Sequence, residues 1–553
     1  MSASLHEFLL HQPVLVFFLV LGLGFLIGNI RLFGISLGAV GGVLIAGLVF
    51  GHFGYTMNAG MQSMGFALFI FCVGYQAGPQ FFDVLLTSGL KYLSLALVIA
   101  GTGFGLAVGL ANALGFAPGM AAGLLGGALT TTPTLAAAQD AVRSGLVSAP
   151  PGFTDEQILT NIGAGYALTY LFGLIGLILI IRLLPRVLGI DLPAEAAKIS
   201  GGSDPEAGPD LSRVTRRTYR VTNIQDIDQT VLEMEQEALG QVIFAGIRRG
   251  AEKIVIDDAT CLELGDEVLV IGDINQLLAK AHLVAQEISD QDGLSVPMAS
   301  VQVVVSQSGV VGKPISDIEI SEHLGVMPLS VRRQRTELPM SMELELRRGD
   351  VITFYGPEFA FDSLVRHIGH VERAVDDTDL LTFALGIAAG ISLGTVAITV
   401  GAVSIGLGMA GGLLISGLII GFLRSIWPVF GRVPSAARWV IMELGLLIFM
   451  AGVGLNAGGG IVEIIHSAGA ELLLAGIIVT LIPTLVGYFF SRKILQLNPA
   501  EALGGVTGSM TSGAALSVVT NAAKSNAPAL GYTGAYAFAN VILTLAGTLI
   551  MLV

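Results

Sequence analysis

The chain has 553 residues, of which 53% are hydrophobic and only 13% charged, with a mean hydropathy of +0.77. A soluble globular protein of this length is not so apolar. The net charge of −14 misleads, because most of the acids sit in one central block and the flanking parts are nearly neutral. The fold class expected is a polytopic α-helical membrane protein with an internal repeat and broken helices, carrying an inserted soluble α+β domain pair.

In chain order, apolar runs near the ~20 residues that span a bilayer lie at about 13–30, 35–54, 64–82, 90–115, 118–142 and 160–184. Only His6, Glu7 and His11 precede the first, and no A-x-A site ends it, so no cleavable signal is expected. The fifth run differs from an anchor. It reads "GGALTTTPTLAAAQDAVR", Gly126 to Arg143. Pro133 has no N–H and its ring clashes with the preceding turn, so the helix should break over Thr130–Thr134. In hydrocarbon the freed backbone groups cost several kcal/mol unless they are buried or line a wet cavity.

The first block is set at residues 1–190. A Pro/Gly/Ser/acid-rich linker follows at 191–210. Short β-branched runs then alternate with polar turns: "RTYRV", "QVIFAGIRRG", "KIVIDD" and "GDEVLVIG", with a helix-like "NQLLAKAHLVAQEI" after them. The order recurs after residue 299, and each copy ends in Gly-Asp, strand, Gly, helix. Two modules are expected, 211–292 and 293–375. Arg248, Arg249, Arg332, Arg333 and Arg335 offer positive charge to an anion, against the simpler reading that charges on strand edges are solvated.

The second membrane block, 376–553, has apolar runs at about 380–400, 403–423, 439–457, 470–490, 500–525 and 533–552. It reads as a copy of the first. "ISLGAVGGVLIAGLVFG" (35–51) aligns without gaps to "IGLGMAGGLLISGLIIG" (405–421), matching five glycines, and "GFALFIFCVGYQAG" (65–78) meets "GLLIFMAGVGLNAG" (445–458). "GALTTTPTLAAAQDAVR" (127–143) meets "GSMTSGAALSVVTNAAK" (508–524), pairing Thr130 with Thr511 and Arg143 with Lys524. Interrupted, polar-spotted segments at equivalent places of two repeats point to a transporter's substrate site. Half-helix N-termini and hydroxyls there would donate to an anionic group. The candidate binding residues are Thr130, Thr131, Thr132, Pro133 and Thr134 in the first copy and Ser509, Thr511, Ser512 and Gly513 in the second. The competing reading, that small residues merely let helices pack closely, explains the other glycines better than this cluster.

Arg143 and Lys524 are the cations matched at the ends of the two segments. A dicarboxylate in a low-dielectric cavity needs compensating charge, and Arg grips a carboxylate with two parallel hydrogen bonds. Against this, each lies ~9 residues, about 13 Å of helix, past the break, where an ordinary snorkelling anchor also sits. The following helix offers Asn161, Tyr166, Thr169 and Tyr170, and its partner offers Tyr536 and Asn540, but neither offers an acid.

That lack counts against a sodium–proton exchanger, whose chemistry needs buried carboxylates. Asp140 is the one acid nearby, and its repeat partner is neutral Asn521. A potassium channel fares worse. "CVGYQ" (72–76) lacks the leading Thr and final Gly of a filter, and a filter lies between spans, not within one. For an enzyme, His6, His11, His52 and His466 lie near span ends without metal spacing, and no nucleophile–base pair stands out. Cys72 and Cys261 imply neither disulfide nor metal site. No cofactor is expected, and no G-x-x-x-x-G-K-[ST] motif marks nucleotide use.

Arg182, Arg186, Arg424, Arg432, Arg438, Arg492 and Lys493 flank spans on what the positive-inside rule makes the cytoplasmic side, which puts the central domain inside. Six crossings per block would make the repeats parallel, and an odd number would invert them. A re-entrant broken segment gives the odd number.

The central modules, carried by Gly240–Arg249 ("GQVIFAGIRR"), Gly265–Asp266 and Gly349–Asp350, resemble the C-terminal regulatory (TrkA-C) domain of potassium-conductance regulators. That resemblance implies pairing, hence a homodimer, and a small-ligand regulator. The GALTTTP segment, its "GSMTSG" match, the "FCVGYQAGPQFF" helix end and the two central modules together resemble the aspartate:alanine exchanger family over essentially the whole chain. The resemblance implies a secondary transporter in a bacterial inner membrane, exchanging acidic amino acids or dicarboxylates. The wider group of cation–proton antiporter and anion transporter folds implies crossed broken helices and elevator-like alternating access.

Overall fold

The structure is a computed structural model. It describes residues 3–32, 35–86, 90–199, 214–222, 230–231, 233–234, 242–250, 252–254, 256, 259–273, 285–288, 298–318, 326–333, 336–339, 341, 343–358, 361–372, 378–400, 403–427 and 430–553. The chain divides into two compact units, one formed by Met1–Ala196 with Val375–Val553 and the other by Ala197–Ala374.

The first unit opens with α1 (Ala3–Leu10), α2 (Pro13–Gly28), the short strands β1 (Arg31–Leu32) and β2 (Ile35–Ser36), α3 (Gly38–His52), α4 (Ala59–Leu86) and α5 (Leu90–Leu114). Then come α6 (Met120–Ala128), α7 (Thr132–Arg143), α8 (Asp155–Val187) and α9 (Leu192–Ile199). Local signals set the ends. Pro13 stands in the first turn of α2, where its missing N–H costs nothing. Thr154 and Gln157 form a capping box at the start of α8, satisfying two orphan donors at once.

In the central unit, the first sheet has β3 (Val214–Val221), β4 (Val242–Arg249), β5 (Glu252–Ile254), β6 (Glu267–Asp273) and β7 (Ala285–Ile288) in the order β5-β4-β6-β3-β7. The second has β8 (Met298–Val305), β9 (Met327–Arg333), β10 (Thr336–Leu338), β11 (Val351–Pro357), then α10 (Phe361–Ile368) and β12 (Gly369–Val371), in the same order, β10-β9-β11-β8-β12. All pairings are antiparallel. Leu269 and Ile271 of one sheet pack with Met327 and Leu329 of the other. One expectation is corrected here. The last four residues of the helix-like 275–288 run are strand β7, paired with β3, because a sheet edge rewards extended backbone whatever the local helix propensity. Residues 274–284 lie outside the described residues.

The exposed-arginine reading is corrected too. Arg249 forks onto Asp266 with both bonds at 2.9 Å, and Arg333 forks onto Asp350 with both at 2.7 Å. Asp266 also accepts from Glu263 N, and Asp350 from Arg347 N. Each Gly-Asp turn is thus an internal brace that clamps two strands. Arg248 pairs with Glu267 and Arg332 with Glu372, while Arg335 lies outside the described residues.

The chain returns to the first unit with α11 (Leu380–Gly394), β13 (Ala397–Val400), β14 (Val403–Gly406), α12 (Gly408–Ile426), α13 (Ser435–Gly458) and α14 (Ile461–Lys493). It ends with α15 (Pro499–Ser509), α16 (Gly513–Ala523) and α17 (Pro528–Leu549). The order matches that of α2 to α8. Among the described residues six helices, α5, α8, α12, α13, α14 and α17, are long and apolar enough to cross a membrane. Helices α3 and α11 are shorter than the runs that announced them, because part of each run is spent on a β-hairpin between helices.

The runs 118–142 and 500–525 are not continuous helices. With 9 and 12 residues, α6 and α7 are about 14 and 18 Å long, each roughly half of a ~30 Å core. The segment turns back. It enters beside Asn161, whose amide donates to Pro118 O at 2.9 Å. It leaves at Arg143, bonded to Gln62, which in turn meets Asn456. A Cβ on Gly163, two residues past Asn161, would lie 3.0 Å from Ala457, so both ends share one level. In the second membrane block four residues, 524–527, join α16 to α17. Four residues reach ~14 Å, too short to recross the core, so α16 ends where α17 begins.

Candidate functional site

The two breaks meet. Thr130 Oγ1 donates to Met510 O at 2.8 Å, and Thr511 Oγ1 donates to Thr130 O at 3.4 Å. The non-helical residues are 129–131 and 510–512, tighter than the Thr130–Thr134 and Ser509–Gly513 expected. Pro133 lies in the first turn of α7 and starts a helix rather than interrupting one. The residue that bends each chain is a threonine, with φ of +55° at Thr130 and +52° at Thr511. A β-branched residue in the left-handed region is strained, and such strain collects at functional sites.

Two half-helices begin at this crossing. Ser512 Oγ caps α16 by accepting from Ala515 N. Thr131 stands at the same place on α7, but its side chain caps nothing there. It lies 3.2 Å from Thr134 Oγ1, which donates to Leu543 O at 2.8 Å. The start of α7 therefore keeps backbone donors without a side-chain acceptor, at the positive end of the helix. Thr132 Oγ1 lies 3.2 Å from the hydroxyl of buried Tyr166. Ser509 Oγ is buried and has no hydrogen-bond partner among the described residues.

Matching scaffolds hold the two breaks. A Cβ on Gly127 of α6 would lie 2.6 Å from Tyr166 O of α8, and one on Gly508 of α15 would collide with Tyr532 O of α17. Tyr166 stacks on Tyr170 with ring centroids 5.3 Å apart, and Tyr532 stacks on Tyr536 at the same distance. Thr480 of α14, which the sequence reading missed, donates to Ala128 O at 2.9 Å and satisfies a free carbonyl at the end of α6. Thr484 reaches Met510. Their i, i+4 spacing beside Pro483 was the available signal.

The other predicted residues fall elsewhere. Asn161 holds the entry of α6, and Asn540 donates to Tyr536 O one turn back on its own helix. Gly513 begins α16 and is exposed. The matched cations do not share a role. Arg143 donates to Gln62 Oε1 at 2.6 Å, which also accepts from Asn456 at 3.0 Å. Gln62 and Gln139 are both buried, with their side-chain amides 3.4 Å apart. Asp140 accepts from Ala410 N at 2.9 Å and so caps α12. Lys524, by contrast, is exposed and ends α16 in the left-handed conformation.

The sequence model of a family described as Asp-Al_Ex, predicted permease membrane region, matches residues 16–186 and 382–552, together more than half of the chain. The chain belongs to the aspartate–alanine exchanger permease family. Both broken segments lie inside the matched regions. Between them, residues 301–369 match the TrkA-C domain, which takes in most of the second central sheet. No solved structure matches the chain. Membership of a permease family makes the protein a membrane transporter by class, and the crossing of the two broken helices is its candidate site.

Proposed function

We propose that this permease is a secondary transporter that exchanges acidic amino acids or C4-type dicarboxylates by alternating access, with the substrate held where the two breaks cross. One observation carries the reading: two half-helix N-termini converge on strained threonines beside a buried, unpartnered serine hydroxyl. Backbone N–H groups and the helix dipole favour an anion there. Ser509 supplies a hydroxyl donor that no group among the described residues satisfies.

The two blocks are copies in opposite orientation, each contributing one re-entrant hairpin from its own side. The same family model matching both blocks supports their likeness, as do the paired Gly127–Tyr166 and Gly508–Tyr532 contacts. The Arg-rich span ends support a cytoplasmic central domain, and on this reading the protein sits in a bacterial inner membrane with the central domain dimerising or sensing a small ligand. A sodium–proton site gains nothing from the geometry, since Asp140 is engaged with the backbone of α12.

Counterflow tests the function. Liposomes containing the purified protein and loaded with unlabelled aspartate or a C4 dicarboxylate should take up the labelled compound without ATP. Absence of counterflow with every acidic substrate tried would refute the proposal.

A further inference from the structure

The two hairpins are built alike yet stand in different states. Under the proposed repeat, Thr132, Pro133, Ala136, Asp140 and Arg143 of α7 correspond to Gly513, Ala514, Ser517, Asn521 and Lys524 of α16. The first four on α7 are buried and Arg143 is half-buried. All five on α16 are exposed. Their spacing puts them on one helical face. That face does not meet lipid. Large exposed apolar residues such as Phe18, Leu26, Leu385 and Leu474 suit a lipid-facing surface, whereas a Ser/Asn/Lys stripe in hydrocarbon is costly. The open face of α16 lines a polar route from the side on which α17 begins to the crossing.

The seal over α7 has a definite construction. Asp140 accepts from Ala410 N, and its carboxylate lies 2.8 Å from where a Cβ on Gly408 would stand. The equivalent helix start is that of α3, with Gly38 for Gly408 and Val40 for Ala410. There a Cβ on Gly38 would meet nothing within 4 Å, and Asn521, the counterpart of Asp140, is exposed. A latch also closes the α7 side, where Gln62 accepts from both Arg143 and Asn456. Extending the alignment of 65–78 with 445–458 back by three residues puts Met442 in the place of Gln62, so the second latch lacks its central acceptor.

Resting on the exchange reading above, we propose that the hairpins swap helix caps during transport. In this structure Asp140 caps α12 and the α7 side is shut, while Asn521 has left α3 and the α16 side is open. In the opposite state Asn521 caps α3, Asp140 releases α12, and the latch at Gln62 opens. Asp140 and Gln62 are thus positioning residues that set the balance between the two states without touching substrate.

The test is thiol labelling of the full chain in membrane vesicles without substrate, so a wrong substrate class leaves it untouched. The background is Cys261→Ser, since Cys72 is buried. The reporters are Ser517→Cys and Ala136→Cys. A small membrane-impermeant maleimide admitted to both faces should label the first at least tenfold faster. Asp140→Ala should then slow the first and speed the second, each by about tenfold, whereas Asp140→Asn, which keeps an acceptor, should stay near the parent. Should Asp140→Ala fail to fold, Gln62→Ala, which leaves the cap in place, should give the same shift. Equal labelling of the two reporters in the parent overturns the proposal. So does unchanged labelling in every folded variant among Asp140→Ala and Gln62→Ala.

Discussion

A buried hydroxyl left without a partner costs about 1–3 kcal/mol, and Ser509 Oγ has no partner among the described residues. Ser509→Ala should therefore leave the substrate-free protein as stable as the parent or slightly more so, while weakening acidic-substrate binding by about tenfold. Thermal unfolding and equilibrium binding on one preparation separate the two effects, and loss of stability with unchanged affinity would make the serine structural. Thr130 tests the strain. Glycine accepts a positive φ freely, so Thr130→Gly should relieve about 1 kcal/mol but lose the bond to Met510 O. It should bind substrate at least tenfold more weakly than Thr130→Ser, which keeps the hydroxyl, in the same binding assay. At this scale the sequence announced the cluster through its composition, because threonines and a proline have no business in an anchor. It did not announce the left-handed threonines, since nothing local asks a β-branched residue to adopt that backbone. Arg333 read as a free cation because its partner Asp350 is 17 residues away and only the sheet brings them together. Gln62 stayed hidden for the same reason, 81 residues from Arg143.

Elements show where pattern suffices and where it fails. The apolar runs announced the membrane helices, but the runs at 118–142 and 500–525 have enough length to span and nevertheless fold back. Length bounds what a segment can do, and the connection after it decides. Close packing of each half-helix on the next helix then fixes the hairpin. A methyl at Gly127 would collide with Thr169, and one at Gly508 with Tyr532 O. Forcing these backbones apart should cost about 1–3 kcal/mol. Gly127→Ala and Gly508→Ala should each lower the apparent Tm by several degrees, and Gly101→Ala, which meets open space, should not. In the central unit, Glu267 holds β3, β4 and β6 together by accepting from Arg220 and Arg248. Those bonds keep its carboxyl below the ordinary 4.5. A depressed carboxylate contributes stability above its unfolded value and loses it as pH falls through the folded one. Unfolding of the central unit followed by proteolysis should thus show weakening below about pH 4.5 that is shallower in Glu267→Gln.

For the whole molecule, the division of labour follows from how the site is made. Every residue at the crossing comes from the unit formed by Met1–Ala196 and Val375–Val553, and the central unit has its own core in its two sheets. The sequence conveyed this division through the abrupt change of composition near residue 190, since a chain cannot bury charged, β-branched segments and lipid-facing helices in one core. Its matched glycines are the sequence support for reading the two membrane blocks as copies. The difference in burial between α7 and α16 was invisible, because sequence is common to every state of a transporter. The expected consequence is that the central unit acts on the balance of states rather than on recognition. Replacing 205–375 by a flexible Gly/Ser linker should leave the order of affinities among acidic substrates unchanged, because no contact at the crossing is removed. The exchange rate or the oligomeric mass should change, because a ligand-sensing or dimerising module acts by favouring one state or one assembly. Binding competition and light scattering on a variant that still elutes as a folded species measure both. A folded variant that no longer binds acidic substrate would show that the central unit contributes to the site, and the assignment of recognition to the crossed helices would fail.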